Sequence, residues 1–325
     1  MISFQLLLLI ATTLYHAIAS YLEDRQPPPG QLIDLGNHRL HLYVAGKGSP
    51  TIVLDHSLGG LDGYFLIEEL SKLARVCIYD RAGYAWSDRS PFPRTSDQIV
   101  TELDTLLIQA AIEPPYILVG NSFGSYNVRL YSHRFPQKVA GIVLTDGLHE
   151  KGMLKMPLSL QALKLFFLSG FVMSIVGSML GIIRLLRAFG GFELLKPELR
   201  CVSAQSRNWV TGSFCRAKHW MTMLQEMINL DQSARQVSVA KHLVNVPMVS
   251  IKACSFFQPS LWTKLIPLKQ ANQLREEMHV ELCHLSTDCI QVEANKSGHF
   301  VWLDQPEVIV NAVRIILDKI NSSQK

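Results

Sequence analysis

Apolar residues in this chain come in short unbroken runs, at 51–55, 75–79, 116–119, 139–145 and 246–251, separated by longer stretches of helical period. A run apolar at successive positions is the mark of a strand covered on both faces. Helical segments are expected between them at 64–73, 95–111 and 123–135, and two further strands at 31–35 and 40–45, parted by Gly36-Asn37. The stiff connector Pro27-Pro28-Pro29-Gly30 precedes them, so the folded core is expected to start near residue 30. Strands alternating with helices predict an α/β fold, a mostly parallel sheet with helices on both faces.

The alternation stops at about residue 149 and resumes near 236. Between them the pattern predicts apolar helices, including Leu165, Phe166, Phe167, Phe171, Val172, Ile182 and Leu185, which could line a pocket or touch a membrane. Lys164, Arg184 and Arg187 suit a membrane surface or an ordinary solvated edge. After the insertion come a helix near 269–285, a strand at 289–294 and a last helix at 306–320, with Asp304 as its expected N-cap. The predicted organisation is an apolar segment at 1–20, a core of 30–148 and 236–325, and a helical insertion at 149–235.

Residues 1–20 hold no Lys, Arg, Asp or Glu. Ala17 and Ala19 suit a signal-peptidase site, whereas the length reaches the minimum for a membrane helix. Either reading predicts a membrane-associated protein or one in the secretory pathway. Composition agrees, with 48% hydrophobic and only 18% charged residues. A net charge of +4 and the lack of a basic block with interleaved aromatics give no footprint for nucleic acid. The six cysteines have no metal-ligand spacing, and Cys77 and Cys254 sit in apolar runs as expected small buried hydrophobes. No metal or cofactor is expected.

Candidate chemistry centres on Gly120-Asn121-Ser122-Phe123-Gly124, a G-x-S-x-G motif with a strand leading in and a helix leading out. A serine hydroxyl needs a base, and His299 lies in a short loop, Asn295-Lys-Ser-Gly-His-Phe, between the last strand and the last helix. Most other histidines are expected on surfaces or helices. His56 differs, because it ends the 51–55 run and opens His56-Ser57-Leu58-Gly59-Gly60.

Asp55-His-Ser-Leu-Gly-Gly60, Tyr79-Asp-Arg-Ala-Gly-Tyr-Ala-Trp-Ser87, Gly120-Asn-Ser-Phe-Gly-Ser125 and Ser297-Gly-His-Phe together resemble the α/β-hydrolase superfamily, in identity and order, over roughly residues 30–325. The resemblance implies an eight-stranded sheet with the insertion as a cap over the active site. It also implies an oxyanion hole from the backbone N–H groups of Leu58 and Phe123. The loop after residue 251, where the family most often carries its acid, has no Asp or Glu, whereas Asp146 ends the preceding strand. The expected triad is therefore Ser122, His299 and Asp146, with Asp288 in reserve.

Ser57 and Ser125 stand where the family usually has Gly, and Asn121 where it often has His. The expected activity is hydrolysis of an ester, less readily an amide or thioester, of an apolar or lipid acyl substrate through an acyl-serine. The alternative is a non-catalytic ligand-binding or receptor protein on the same scaffold.

Overall fold

The computed structural model describes residues 3–243, 246–256 and 267–323. Eight strands, β1 (Gln31–Asp34), β2 (Arg39–Ala45), β3 (Thr51–Asp55), β4 (Val76–Tyr79), β5 (Tyr116–Asn121), β6 (Val139–Thr145), β7 (Met248–Ala253) and β8 (Cys289–Ala294), form one sheet in the order β1-β2-β4-β3-β5-β6-β7-β8. The β1–β2 and β2–β4 pairs are antiparallel and all later pairs parallel. Every residue of β3, β4 and β5 is buried, as their unbroken apolar runs require.

Helices α1 (Phe4–Asp24), α2 (Ile67–Leu70), α3 (Ser96–Gln109) and α4 (Gly124–Arg134) belong to the first half of the chain. In α3 the buried positions Ile99, Val100, Leu103, Leu106 and Leu107 trace one helical stripe against the sheet. The segment after β6 contains α5 (Glu150–Leu154), α6 (Leu158–Met179), α7 (Ile182–Ala188), α8 (Gly191–Leu195), α9 (Ala204–Phe214), α10 (Ala217–Ile228) and α11 (Leu230–Val237). Helix α12 (Leu268–Cys283) precedes β8, and α13 (Val301–Asp304) and α14 (Pro306–Ser323) close the chain. Two apolar layers flank the sheet. One gathers Leu103, Leu118, Tyr131 and Leu144, and the other gathers Val119, Val143, Trp302, Val313 and Ile316.

Chain direction reverses its lateral growth at β3, which has β4 on one side and β5 on the other. Such a switch opens a crevice at the carboxyl ends of the strands. The loop after β3 and the turn after β5 both end there, with Asp55 level with Gly120 and Asn121 level with Thr145.

Three local expectations are corrected. The stretch 64–73 forms a 3₁₀ turn, Asp62–Phe65, and the single turn α2, because Tyr64 is drawn inward by hydrogen bonds to Asp80 and His41. Asp304 does not cap α14. Its carboxylate accepts the Gly298 N–H at 3.1 Å and pairs with Lys196 at 2.5 Å, and Gln305 precedes the helix instead. Cys77 is buried as expected, but Cys254 is exposed in the turn that leaves β7, and among the described residues all six cysteines are free thiols.

Candidate active site

The turn between β5 and α4 is tight enough to exclude side chains at its glycines. A Cβ on Gly124 would lie 2.3 Å from the Asp55 carbonyl oxygen, and one on Gly120 would lie 2.7 Å from the Gly124 carbonyl oxygen. Between them Ser122 adopts φ +51°, a left-handed conformation that non-glycine residues seldom hold. Its N–H donates to the Thr145 carbonyl at 2.9 Å, which fixes the turn against β6. Ser125 adds a second tie: its hydroxyl donates to the Ser122 carbonyl at 2.6 Å and accepts the Leu148 N–H at 2.9 Å.

His299 Nε2 lies 2.9 Å from Ser122 Oγ. Its Nδ1 is hydrogen-bonded to Asp146 Oδ2. For Nε2 to accept the serine proton, Nδ1 must carry the ring proton and donate it to the carboxylate. Phe256 stacks on the imidazole with centroids 4.8 Å apart, and its carbonyl accepts the His299 N–H at 3.3 Å. The structure thus brings Ser122, His299 and Asp146 into one hydrogen-bonded line, while Asp288 lies elsewhere, exposed and paired with Lys319.

Asp146 is nearly inaccessible and has φ +41°. Its second oxygen, Oδ1, receives Arg275 Nη2 at 2.5 Å, His279 Nε2 at 3.1 Å and the Ala253 N–H at 3.3 Å. Burial alone would raise the carboxyl pKa. Hydrogen bonds from His279 and His299, with the charges of His299 and Arg275, outweigh that and hold it well below the ordinary value. Arg275 and His279 were not foreseen. They stand four residues apart, on one face of α12, and that spacing was the available signal.

Leu58 and Phe123 both line the cavity beside Ser122, and among the described residues neither backbone N–H has a protein hydrogen-bond partner. Ser57 does not have a positive φ, so its Cβ is carried without that backbone strain. Arg81 holds this loop from beneath, donating to the His56 carbonyl at 2.8 Å and the Ser57 carbonyl at 2.7 Å. The same guanidinium is wholly buried between Asp55, at 2.8 Å, and Glu226 of α10, also at 2.8 Å. Tyr84 completes the cluster with a 2.7 Å bond to Glu226. Asn121 donates its amide to Asp62, the residue that also faces His56.

Over Ser122 lies a cavity of about 320 Å³. Leu160, Leu163, Phe167 and Phe171 of α6 and Met223 and Met227 of α10 supply much of its wall. Of the apolar insertion residues, Phe167 and Phe171 therefore face the cavity, whereas Leu165, Phe166, Val172 and Ile182 are exposed. Lys164 and Arg184 are not a solvated edge: Lys164 pairs with Asp231 at 3.0 Å, and Arg184 is buried against Glu23. Chemically, the site offers a hydroxyl with a base in reach, two unpaired N–H donors and an apolar chamber.

Residues 50–174 match a family model described as the alpha/beta hydrolase fold. An AB hydrolase superfamily protein of Gibberella zeae is 24% identical over 75% of this chain and 78% of its own. A probable transporter, efuK, of Hormonema carpetanum is 25% identical over 90% of this chain, which spans only 43% of that relative's length. The solved structure of Cfl2 from Burkholderia cenocepacia superposes with a TM-score of 0.65, at 18% identity, covering 89% of this chain and 97% of that one. The strand order, the turn at Ser122 and the matched segment agree on one conclusion: this chain has the α/β-hydrolase fold.

Proposed function

We propose that the protein is a serine hydrolase that cleaves an ester of an apolar acyl group through an acyl-serine intermediate. The observation that carries this reading is the line Ser122–His299–Asp146 at the floor of an apolar cavity. His299 takes the proton from Ser122 as its oxygen attacks the acyl carbon. It then returns the proton to the leaving alcohol, and the sequence repeats with water. Asp146 keeps the imidazole in the required tautomer and stabilises the imidazolium. The N–H groups of Leu58 and Phe123 receive the oxyanion, where one such donor contributes about 3 kcal/mol to the barrier reduction.

The apolar wall selects an acyl chain over a charged acid, and the exposed apolar residues of α1 and α6 favour work at a membrane. A fluorophosphonate probe tests the reading directly. It is expected to label the wild-type protein at Ser122 and to leave Ser122→Ala unlabelled. An unlabelled wild type overturns the proposal, and tight apolar-ligand binding without turnover would then identify a binding protein.

A further inference from the structure

Helix α1 is inside out for a helix docked in water. Thr12, His16, Ser20 and Glu23 recur at helical spacing and all turn toward the protein. Thr12 donates to the Leu180 carbonyl at 2.9 Å. Arg184 of α7 donates to His16 at 3.3 Å, to Ser20 at 3.2 Å and to Glu23 at 2.8 Å. Arg216 adds bonds to the Ser20 carbonyl at 3.1 Å and to Asp24 at 2.6 Å. Leu14, Tyr15, Ile18, Tyr21 and Leu22 face outward, each between 48% and 61% exposed. A surface helix in water is ordinarily the reverse, with its apolar stripe inward.

Helix α6 repeats the theme. Its inner side gives Leu163, Phe167 and Phe171 to the cavity, while Leu165, Phe166 and Met173 on its outer side are 67%, 69% and 74% exposed. The two helices adjoin at the α6–α7 turn, where a Cβ on Gly181 would lie 2.4 Å from the Thr12 carbonyl oxygen. Charge is missing from this surface. Residues 1–22 contain no ionic side chain, and residues 156–183 contain only Lys164, which turns inward to Asp231.

We infer that α1 and the outer side of α6 form a face that lies in one leaflet of a lipid bilayer. The polar side of α1 is clasped to the α7 region and its apolar side is immersed. A helix of 21 residues is about 31 Å long, and the part from Thr12 to Asp24 is the one bonded to the protein. A lipid surround satisfies both of its sides at once, since the polar stripe is bonded to protein and the remainder needs only hydrocarbon. Cleavage after Ala19 would strip Thr12 and His16 from the clasp, so α1 is read as a retained part of the folded protein. An acyl chain would then reach the cavity from the leaflet past α6. That last step rests on the proposed hydrolase reading; the docking face does not.

The test uses the full-length chain and vesicles of dioleoylphosphatidylcholine in density flotation. Wild type and Ser122→Ala are both expected to float with the vesicles, which separates docking from catalysis. The pair Ile18→Asp and Phe166→Asp is expected to lower the bound fraction about tenfold while its circular-dichroism melt matches wild type. If that pair does not fold, Ile18→Ser with Phe166→Ser is measured in its place. Intact mass of the protein recovered from cells is expected to include residues ahead of Ser20. A wild type that stays in the aqueous fraction, a chain starting at Ser20, or a stable dimer that hides this face from vesicles overturns the inference.

Discussion

His279 and His299 share one carboxylate, His299 on Oδ2 of Asp146 and His279 on Oδ1 at 3.1 Å. With Arg275 also on Oδ1, the aspartate is fixed on both oxygens and its ionised form is favoured. Under the proposed mechanism Oδ2 would serve the reaction, while Oδ1 fixes the carboxylate to α12.

Asp146→Asn therefore keeps the shape of the site but loses the acceptor that selects the His299 tautomer. Ester turnover is expected to fall by about 10³ to 10⁴, with the thermal melt little changed. Near-normal kcat would remove Asp146 from the mechanism.

Acid stability follows from the same group. A carboxyl whose pKa is depressed on folding adds stability above its unfolded value of about 3.9. That stability is lost as pH falls through the lower folded value. Arg275→Met removes an opposing charge, so the folded pKa rises and acid unfolding is expected to begin at higher pH than in wild type. Circular dichroism between neutral pH and strong acid reads the midpoint, and coincident midpoints would refute the assignment.

Arg81 ties the 56–58 loop to the packed interior through four acceptors: Asp55, Glu226 and the His56 and Ser57 carbonyls. Arg81→Met leaves two buried carboxylates without their cation, at a cost of about 3–5 kcal/mol, and frees the Leu58 loop. Adding Glu226→Leu is expected to restore part of the stability but little of the turnover. Full recovery of kcat in the double variant would show that Arg81 acts on packing alone.

Leu163 lines the cavity from α6. In Leu163→Trp the larger side chain takes space from the acyl group, so kcat/KM for long-chain esters is expected to drop at least tenfold relative to a short-chain ester. An unchanged chain-length profile would place the acyl group elsewhere.

Strand positions were legible in the sequence because interior parallel strands are apolar at every residue, as in β3 and β5. The turn at Ser122 was legible because its glycines are required by contacts closer than 3 Å. Arg275 and His279 were not, since an arginine and a histidine in a polar helix read as solvated until the fold buries them against Asp146. The inverted α1 escaped for a related reason. Thr12, His16 and Ser20 look like flaws in an apolar segment, and become contacts only once Leu180 and Arg184 are brought beside them.

The buried bond between Glu226 and Arg81 has a consequence for engineering substrate range. Helices α5 to α11 look like a detachable module, to be exchanged with those of a relative for a new specificity. One of them nevertheless carries a carboxylate that holds Arg81, and through it the 56–58 loop of the sheet-bearing part of the chain. A chimera that brings in a foreign helix without an acid at the place of Glu226 would inherit the new chamber and lose the loop beneath it.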